Sequence, residues 1–215
     1  MNASYLMPVK WADVKLKCKI KKLYLFIVPT LLVIMFFTIS CVRDEEELLP
    51  KEKFQVGQKH QGGIVAYVDN IFAEHGFIAA AEDFIMDMQW YDGQYYNAPH
   101  ISTNPYKGDG KLNTIEIVKT QGNGFYAAKL CDDLVLNGYD DWHLPSIYEL
   151  QELFINRDKI GGFDENAFYW SSTEDDDTTN PNGIYSSANC MYFKTGGFWW
   201  YVKSAPLKVR AIRYF

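Results

Sequence analysis

The segment between residues 127 and 149 constrains the fold more than any other part of the chain. Its first half carries apolar residues at helical spacing: Ala127, Cys131, Leu134 and Val135. Asn137-Gly138 follows as a predicted helix stop, because glycine adopts the left-handed conformation beyond a helix without a Cβ clash. Pro145-Ser146 then opens a second helix, in which Ser146 and Glu149 have the spacing of a capping box. The segment therefore predicts two helices joined by a tight turn.

Strand patterns lie on both sides of these helices. Residues 63–68 are β-branched and aromatic, and residues 77–80 are their expected hairpin partner. A short helix is predicted over 114–120. Further strands are predicted over residues 169–172, 190–193, 198–202 and 209–215. Strands at both ends with helices between them predict one α+β domain, in which the N- and C-terminal strands meet in an antiparallel sheet beside two to three helices.

The N-terminal part of the chain has a different character. Five lysines between residues 15 and 22 precede an uncharged apolar run over 23–39, and Ser40-Cys41 closes it. This layout is typical of a secretory signal peptide, and its final cysteine resembles a bacterial lipoprotein signal. We predict a signal peptide over 1–40 and lipidation of Cys41. An uncleaved membrane anchor is the alternative, because the apolar run is about long enough to span a bilayer.

An acidic stretch follows the predicted lipid site. Residues 41–54 form a predicted tether, in which the like charges of Asp44-Glu45-Glu46-Glu47 repel one another and keep the segment extended. An acidic cluster so close to a lipidated cysteine also resembles the export signal of Bacteroidota surface lipoproteins. That resemblance implies an outer-membrane lipoprotein exposed at the cell surface, with retention on the periplasmic leaflet as the alternative.

The charge of the chain argues against a nucleic-acid partner. The whole sequence has 21 basic and 27 acidic residues. Six lysines and one aspartate precede Cys41, so residues 42–215 carry 15 basic and 26 acidic residues, a net charge of −11. No basic patch suited to a phosphate backbone is visible.

Catalytic and metal-binding patterns are weak. The four histidines, His60, His75, His100 and His143, lie in separate segments without metal-ligand spacing. His143 follows Asp140 and Asp141, and a packed or exposed imidazole at a turn is its expected role. The acidic runs at 174–177, 132–133 and 140–141 lack the shaped loop that calcium requires. We expect no enzyme activity, no metal and no cofactor.

Two cysteines remain beyond the lipid site. Cys131 and Cys190 make an even pair, which an oxidising compartment can join in a disulfide. Cys131 lies on the apolar face of its predicted helix, which favours a buried free thiol instead.

Several segments together resemble a known family. They are residues 61–65, 75–76, 80–83, 110–114, 131–146, 169–174 and 209–213. The most specific is Gly-Tyr-Asp-Asp-Trp-His-Leu-Pro-Ser at 138–146. These segments closely resemble the C-terminal domain of the collagen-like adhesin Lcl over residues 55–215. That family is similar to formylglycine-generating-enzyme and C-type-lectin-like folds.

The resemblance implies a C-type-lectin-like fold used for extracellular recognition, in several members of glycans or host surfaces. Two features depart from the family. The collagen-like stalk is replaced by a lipid anchor and an acidic tether, and His143 stands where arginine is familiar.

Aromatic residues crowd the C-terminal segment. Phe198-Trp199-Trp200-Tyr201 is continuous, so strand alternation predicts that two of its four rings point away from whichever face is packed. Exposed tryptophan and tyrosine offer rigid, amphipathic contact area for sugars or protein surfaces. The predicted ligand site comprises Tyr192, Phe198, Trp199, Trp200 and Tyr201, with the polar neighbours Asn189, Lys194 and Lys203.

Together these patterns predict a lipid-anchored surface module that binds a glycan or a protein. The first alternative is a structural or accessory subunit of an envelope or fimbrial assembly, whose aromatic face is covered by a partner chain. The second is a variable protein of a diversity-generating retroelement, because residues 186–192 and 198–204 scatter Tyr, Ser, Asn, Phe and Cys as such proteins do.

Overall fold

The computed structural model describes residues 54–69, 74–93, 98–175 and 186–215. The predicted signal peptide, the lipid site at Cys41 and residues 41–53 of the tether lie outside these ranges, as do residues 176–183 of the acidic loop. The elements are β1 (Lys59–His60), β2 (Gly63–Val68), β3 (Gly76–Ala79), α1 (Gly110–Gln121), α2 (Ala127–Asp132), α3 (Ile147–Ile155), α4 (Arg157–Ile160), β4 (Phe168–Glu174), β5 (Ser187–Tyr192), β6 (Gly197–Val202) and β7 (Ile212–Tyr214). The predicted α+β class is confirmed. None of the helices in the described ranges has the length and apolarity that a membrane crossing requires.

The first sheet joins the two ends of the domain. Its strand order is β1-β2-β3-β7, and each neighbouring pair is antiparallel. The predicted hairpin of residues 63–68 with 77–80 is confirmed, with Ile64 opposite Ala79. β7 pairs with β3 and places Tyr214 opposite Phe77. The terminal strands therefore meet in one sheet, as the sequence predicts.

The second sheet has its first strand, β4, in the core. Its order is β4-β5-β6, again antiparallel. Successive side chains of a strand point to opposite faces, and on β4 both faces are covered. Trp170 belongs to one apolar cluster with Cys190, and Tyr169 belongs to another with Met191. β4 is therefore sandwiched between two packed layers.

The helix α3 begins where the capping signal places it. The Ser146 side chain accepts a hydrogen bond from the backbone N–H of Glu149, and the Glu149 side chain accepts one from the Ser146 N–H. Glu149 also accepts hydrogen bonds from the Gly108 backbone N–H at 2.8 Å and from the Tyr214 hydroxyl. Burial is the largest influence on this carboxyl and raises the pKa of Glu149 in spite of these donors. One capping residue thus connects α3, the loop before α1 and β7.

The helix predicted from Ala127 is shorter than its apolar pattern. It ends at Asp132, and Val135 is exposed. Asn137 and Gly138 both have positive φ, and the flanking Leu136 and Tyr139 exchange two backbone hydrogen bonds. That is the geometry of a two-residue primed hairpin turn, for which Asn-Gly is the preferred dipeptide. The prediction that Asn137-Gly138 stops the helix was wrong, because the dipeptide forms a hairpin turn five residues later.

The C-terminal strand is also shorter than the predicted 209–215. Residues 207–211 bond in turn to different neighbours: Met88 pairs with Leu207, Trp170 donates to Lys208 O, and Ala80 donates to Ala211 O. This segment therefore runs between the two sheets, and only Ile212–Tyr214 forms a regular ladder.

An ion pair fixes the 138–146 block to the end of the chain. Arg213 donates hydrogen bonds from Nε and Nη2 to the two oxygens of the Asp141 carboxylate, and its Nη2 lies 2.9 Å from Oδ2. Burial acts to raise the pKa of Asp141, but the hydrogen bonds and charge of Arg213 outweigh it and bring that pKa below its ordinary value. The arginine also lies over the Tyr139 ring at 4.1 Å.

Both remaining cysteines are buried free thiols. They contribute to the same apolar cluster, which answers the question that the sequence leaves open. Burial raises the pKa of Cys190 to about 12 and that of Cys131 well above its ordinary value, so both stay protonated and unreactive.

Candidate functional site

β6 is the outer strand of the second sheet, and none of the described strands pairs with its free side. All four of its aromatic rings are solvent-exposed: Phe198 by 48%, Trp199 by 53%, Trp200 by 63% and Tyr201 by 38%. The sequence predicts two exposed rings, and the structure shows four. The reason is that the two layers covering β4 leave both faces of β6 open.

One face of β6 carries the first half of an aromatic surface. Trp199 and Tyr201 lie on this face, where the Phe168 ring stands between them with centroid distances of 6.1 and 5.1 Å. Phe168 also stacks on Tyr192 at 4.5 Å. We call these four residues the front aromatic surface. Tyr192, from the predicted site, takes part in it while half-buried.

The opposite face of β6 carries a second aromatic surface. Strand alternation places Phe198, Trp200 and Val202 there. Phe198 lies 6.0 Å from the Tyr148 ring of α3, which lies 6.0 Å from Tyr106. We call these five residues the back aromatic surface. Tyr106 and Tyr148 are exposed and were missed by sequence reasoning, because they lie 50 to 90 residues from β6 and no local pattern connects them to it.

The three polar residues of the predicted site differ in their exposure to solvent. Lys194 is exposed at the β5–β6 turn. Asn189 is half-buried, and its side chain donates to the Glu174 backbone oxygen at 3.0 Å. Lys203 is completely buried. The prediction that Lys203 contacts a ligand was therefore wrong: its ammonium points inward, to a carboxylate.

Lys203 forms a buried ion pair with Glu174. The same carboxylate accepts a hydrogen bond from the Ile101 N–H at 3.0 Å and lies 2.5 Å from His100 Nδ1. Lys203 Nζ also lies 4.5 Å from the centre of the Trp90 ring. Burial lowers the pKa of Lys203 although Glu174 acts to raise it. This cluster ties the end of β6 to β4 and to the loop at 98–101.

His143 is buried beside the first sheet, where it forms a β-bridge with Ile212. Its backbone exchanges two hydrogen bonds with Ile212, at 2.8 and 3.0 Å, and its ring packs 4.6 Å from Tyr214. The ring Nε2 has no hydrogen-bond partner in the described ranges. Burial lowers the pKa of His143 to about 3, so the imidazole is neutral in the folded protein. The sequence left a packed and an exposed imidazole open, and the structure shows the packed one.

The neutral His143 should make folding stability depend on pH. An unfolded histidine has a pKa of about 6.5, so below that pH the unfolded chain binds a proton that the folded chain rejects down to about pH 3. Stability is therefore complete above about pH 6.5 and falls with decreasing pH, by up to about 1.4 kcal/mol per unit. We expect His143→Leu to remove about 2 kcal/mol of the loss between pH 7 and pH 5.

Urea unfolding at the two pH values measures this difference. Carboxylates contribute equally to the pH dependence of the wild type and of His143→Leu. The informative quantity is therefore the difference between the two chains in the slope of unfolding free energy against pH. His75→Leu is the matched control, because it replaces a histidine that lies exposed at the surface. An identical slope in the wild type and in His143→Leu would contradict the assignment.

Three of the acidic residues in the candidate runs are engaged in ion pairs. Asp141 is held by Arg213, and Asp132 and Asp133 lie within 4.0 Å of Lys129. Across the same ranges, no three side chains of His, Cys, Asp or Glu are placed to share a metal ion. The candidate acidic residues 176–177 lie outside the described ranges.

Concave sites lie elsewhere on the domain. One cavity of about 520 Å³ is lined by residues 59–64 together with Ala81 and Asn137. Two apolar depressions of about 250 and 300 Å³ share Asp83 and Phe84 and lie beside the exposed Ile85 and Met86. Sequence reasoning missed this second apolar region, because Ile85 and Met86 stand in an irregular loop without periodicity.

Comparison with known proteins finds no match, either among protein-family models or among curated proteins.

Proposed function

We propose that this chain is a recognition module, held at the outer membrane by a lipid on Cys41 and exposed at the cell surface. Its domain has a C-type-lectin-like fold of the Lcl type and binds a glycan or a protein ligand. The front and back aromatic surfaces of β6 provide the contacts. The observation that supports this proposal most directly is the exposure of four consecutive aromatic rings on one outer strand.

The physical chemistry of these rings supports a binding role. Large exposed apolar patches on soluble domains mark interaction sites, whereas scattered single apolar residues need no explanation. Trp199 and Trp200 are also rigid, so contact with them orders few torsions, and tryptophan is enriched among residues that dominate binding energies. The buried Lys203–Glu174 pair holds the strand in place, which prepares the surface for binding.

The same surface also fits the alternative of an assembly subunit. A partner chain in an envelope or fimbrial structure would cover the rings permanently. The two functions differ in their ligands, because a recognition module binds a soluble ligand reversibly and a subunit co-purifies with its partner.

A binding screen tests the proposal. The full-length chain, solubilised in detergent, is applied to glycan arrays and to immobilised extracellular proteins, with calcium and with a chelator. We expect binding to one ligand class, and its loss in Trp199→Ala/Trp200→Ala. Stable co-purification with envelope proteins, without soluble ligand binding, would support the assembly function instead.

A further inference from the structure

The free edge of β6 presents backbone groups that can extend the sheet. The backbone N–H of Lys203 donates a hydrogen bond to Ser186 O at 2.7 Å. Lys203 and Ser186 therefore form a hydrogen-bonded pair that continues the ladder between β6 and β5. In an antiparallel ladder these pairs alternate along the strand. The backbone N–H groups of Phe198, Trp200 and Val202 therefore point away from β5, to the open side.

Within the described residues, the sequence and pairing of this strand show none of the charges, prolines or bulges by which proteins prevent strand addition. Natural outer strands carry charged side chains, prolines or bulges that block pairing. The strand Gly197–Val202 has the sequence Gly-Phe-Trp-Trp-Tyr-Val, without charge or proline, and its pairing with β5 shows no register shift. An unguarded apolar edge of six residues is suited to pairing.

The strand is complementary to itself. If two copies of β6 pair antiparallel about a two-fold axis through Trp200, Phe198 lies opposite Val202 of the other copy, and Trp199 lies opposite Tyr201. Trp200 meets its own counterpart on the axis. Every cross-strand pair is then aromatic–aromatic or aromatic–β-branched, which are the stabilising kinds, and no like charges meet.

We infer that β6 pairs with β6 of a second copy of this chain and forms a continuous six-stranded sheet across a two-fold axis. Such isologous contacts are the usual architecture of homodimers. The five exposed side chains of β6, each about half-exposed, offer at most roughly 400–500 Å² per copy at about 200 Å² for each aromatic residue, and edge-to-edge pairing covers only a part of this area. Even the whole area is below the roughly 800 Å² per partner of a standard interface, so the dimer is weak and reversible.

The dimer also has a consequence for recognition. Pairing covers the strand edge and joins the aromatic surfaces of two copies on each face of the sheet. Two chains confined to one membrane have a high effective concentration, which favours a weak contact. The confinement to one membrane rests on the proposed function, whereas the pairing of the two strand edges does not.

Cysteine cross-linking of the full-length chain in membranes tests the two-fold axis. Opposed hydrogen-bonded residues have Cα atoms about 5.5 Å apart, a distance that a disulfide spans. Under copper–phenanthroline oxidation, Trp200→Cys should give at least five times more disulfide-linked dimer than Lys194→Cys, an exposed control away from the axis. Equal cross-linking of both variants, or a Trp200→Cys adduct with a different protein, would overturn the inference.

A second pair of variants distinguishes the contribution of the backbone hydrogen bonds of the strand edge to dimer formation from that of the aromatic rings. Val202→Pro removes an outward N–H while keeping all four aromatic rings, and proline is tolerated on outer strands. Val202→Thr keeps the N–H and the side-chain shape. In sedimentation of the detergent-solubilised chain, Val202→Pro should lose the dimer and Val202→Thr should retain it, with both still folded by circular dichroism. A dimer retained in Val202→Pro would contradict edge pairing, and ligand binding retained in the monomeric variant would leave the proposed function standing.

Discussion

Replacing Lys203 by methionine should lower the free energy of unfolding by about 3 kcal/mol. Among the residues of the C-terminal segment that look exposed from the sequence, we expect the largest loss of stability from this one. Lys203 is completely buried beside Glu174. Removal of the ammonium leaves the Glu174 carboxylate buried, with the Ile101 N–H and His100 as its remaining partners among the described residues. Removing one member of a buried ion pair lowers the free energy of unfolding by more than the intact pair contributes to it, because the remaining charge stays buried without its partner.

Two comparisons test this assignment in urea unfolding followed by circular dichroism. Lys194→Met removes an exposed lysine nine residues away and should change the unfolding free energy by less than about 0.5 kcal/mol. Lys203→Met/Glu174→Gln should recover most of the loss, since the unpaired charge is gone. Equal stability of Lys203→Met and Lys194→Met would show that the buried pair has no structural role.

Removing two tryptophans from β6 should abolish binding without unfolding the domain. Trp199→Ala/Trp200→Ala deletes two residues of the kind that contribute about 2 kcal/mol or more each at binding sites. Together they predict a loss of about 1000-fold in affinity for whichever ligand the screen identifies. Their half-exposed rings make few core contacts, so we expect the unfolding free energy to change by about 1 kcal/mol at most.

A matched variant distinguishes loss of the site from loss of any aromatic surface. Phe125 is 78% exposed and lies outside β6, so Phe125→Ala should bind ligand like the wild type in the same titration. If Phe125→Ala and the double variant weaken binding equally, the contact is not specific to β6.

Local signals predicted the parts of the fold that local interactions decide. The Ser146 capping box and the hairpin of β2 with β3 depend on neighbours within a few residues, and both are confirmed. Asn137-Gly138 was predicted to stop a helix, and it forms a hairpin turn instead. Asn-Gly favours both a helix C-terminus and a primed hairpin turn, and only the pairing of Leu136 with Tyr139 decides between them.

Interactions between distant residues escaped prediction. Lys203 follows an aromatic strand and looks like a solvated lysine, and its partner Glu174 is 29 residues away in an acidic run. The exposure of β6 on both faces depends on where the two apolar layers end, which alternation within one strand does not encode. Two of the four rings at 198–201 were predicted to be exposed, and all four are. Tyr106 and Tyr148 depend on the packing of α3 against the second sheet.

Oxidative footprinting of the full-length chain, with and without its ligand, tests the central claim most directly. Hydroxyl radicals modify exposed tryptophan and methionine, and mass spectrometry reads each peptide separately. Trp199 and Trp200 are exposed on β6, and Met86 is 64% exposed in the other apolar region. Recognition by β6 predicts that ligand protects Trp199 and Trp200 while Met86 is oxidised as before. Protection of Met86 with unchanged oxidation of both tryptophans would place the binding site at the apolar depressions around Phe84 and contradict the account.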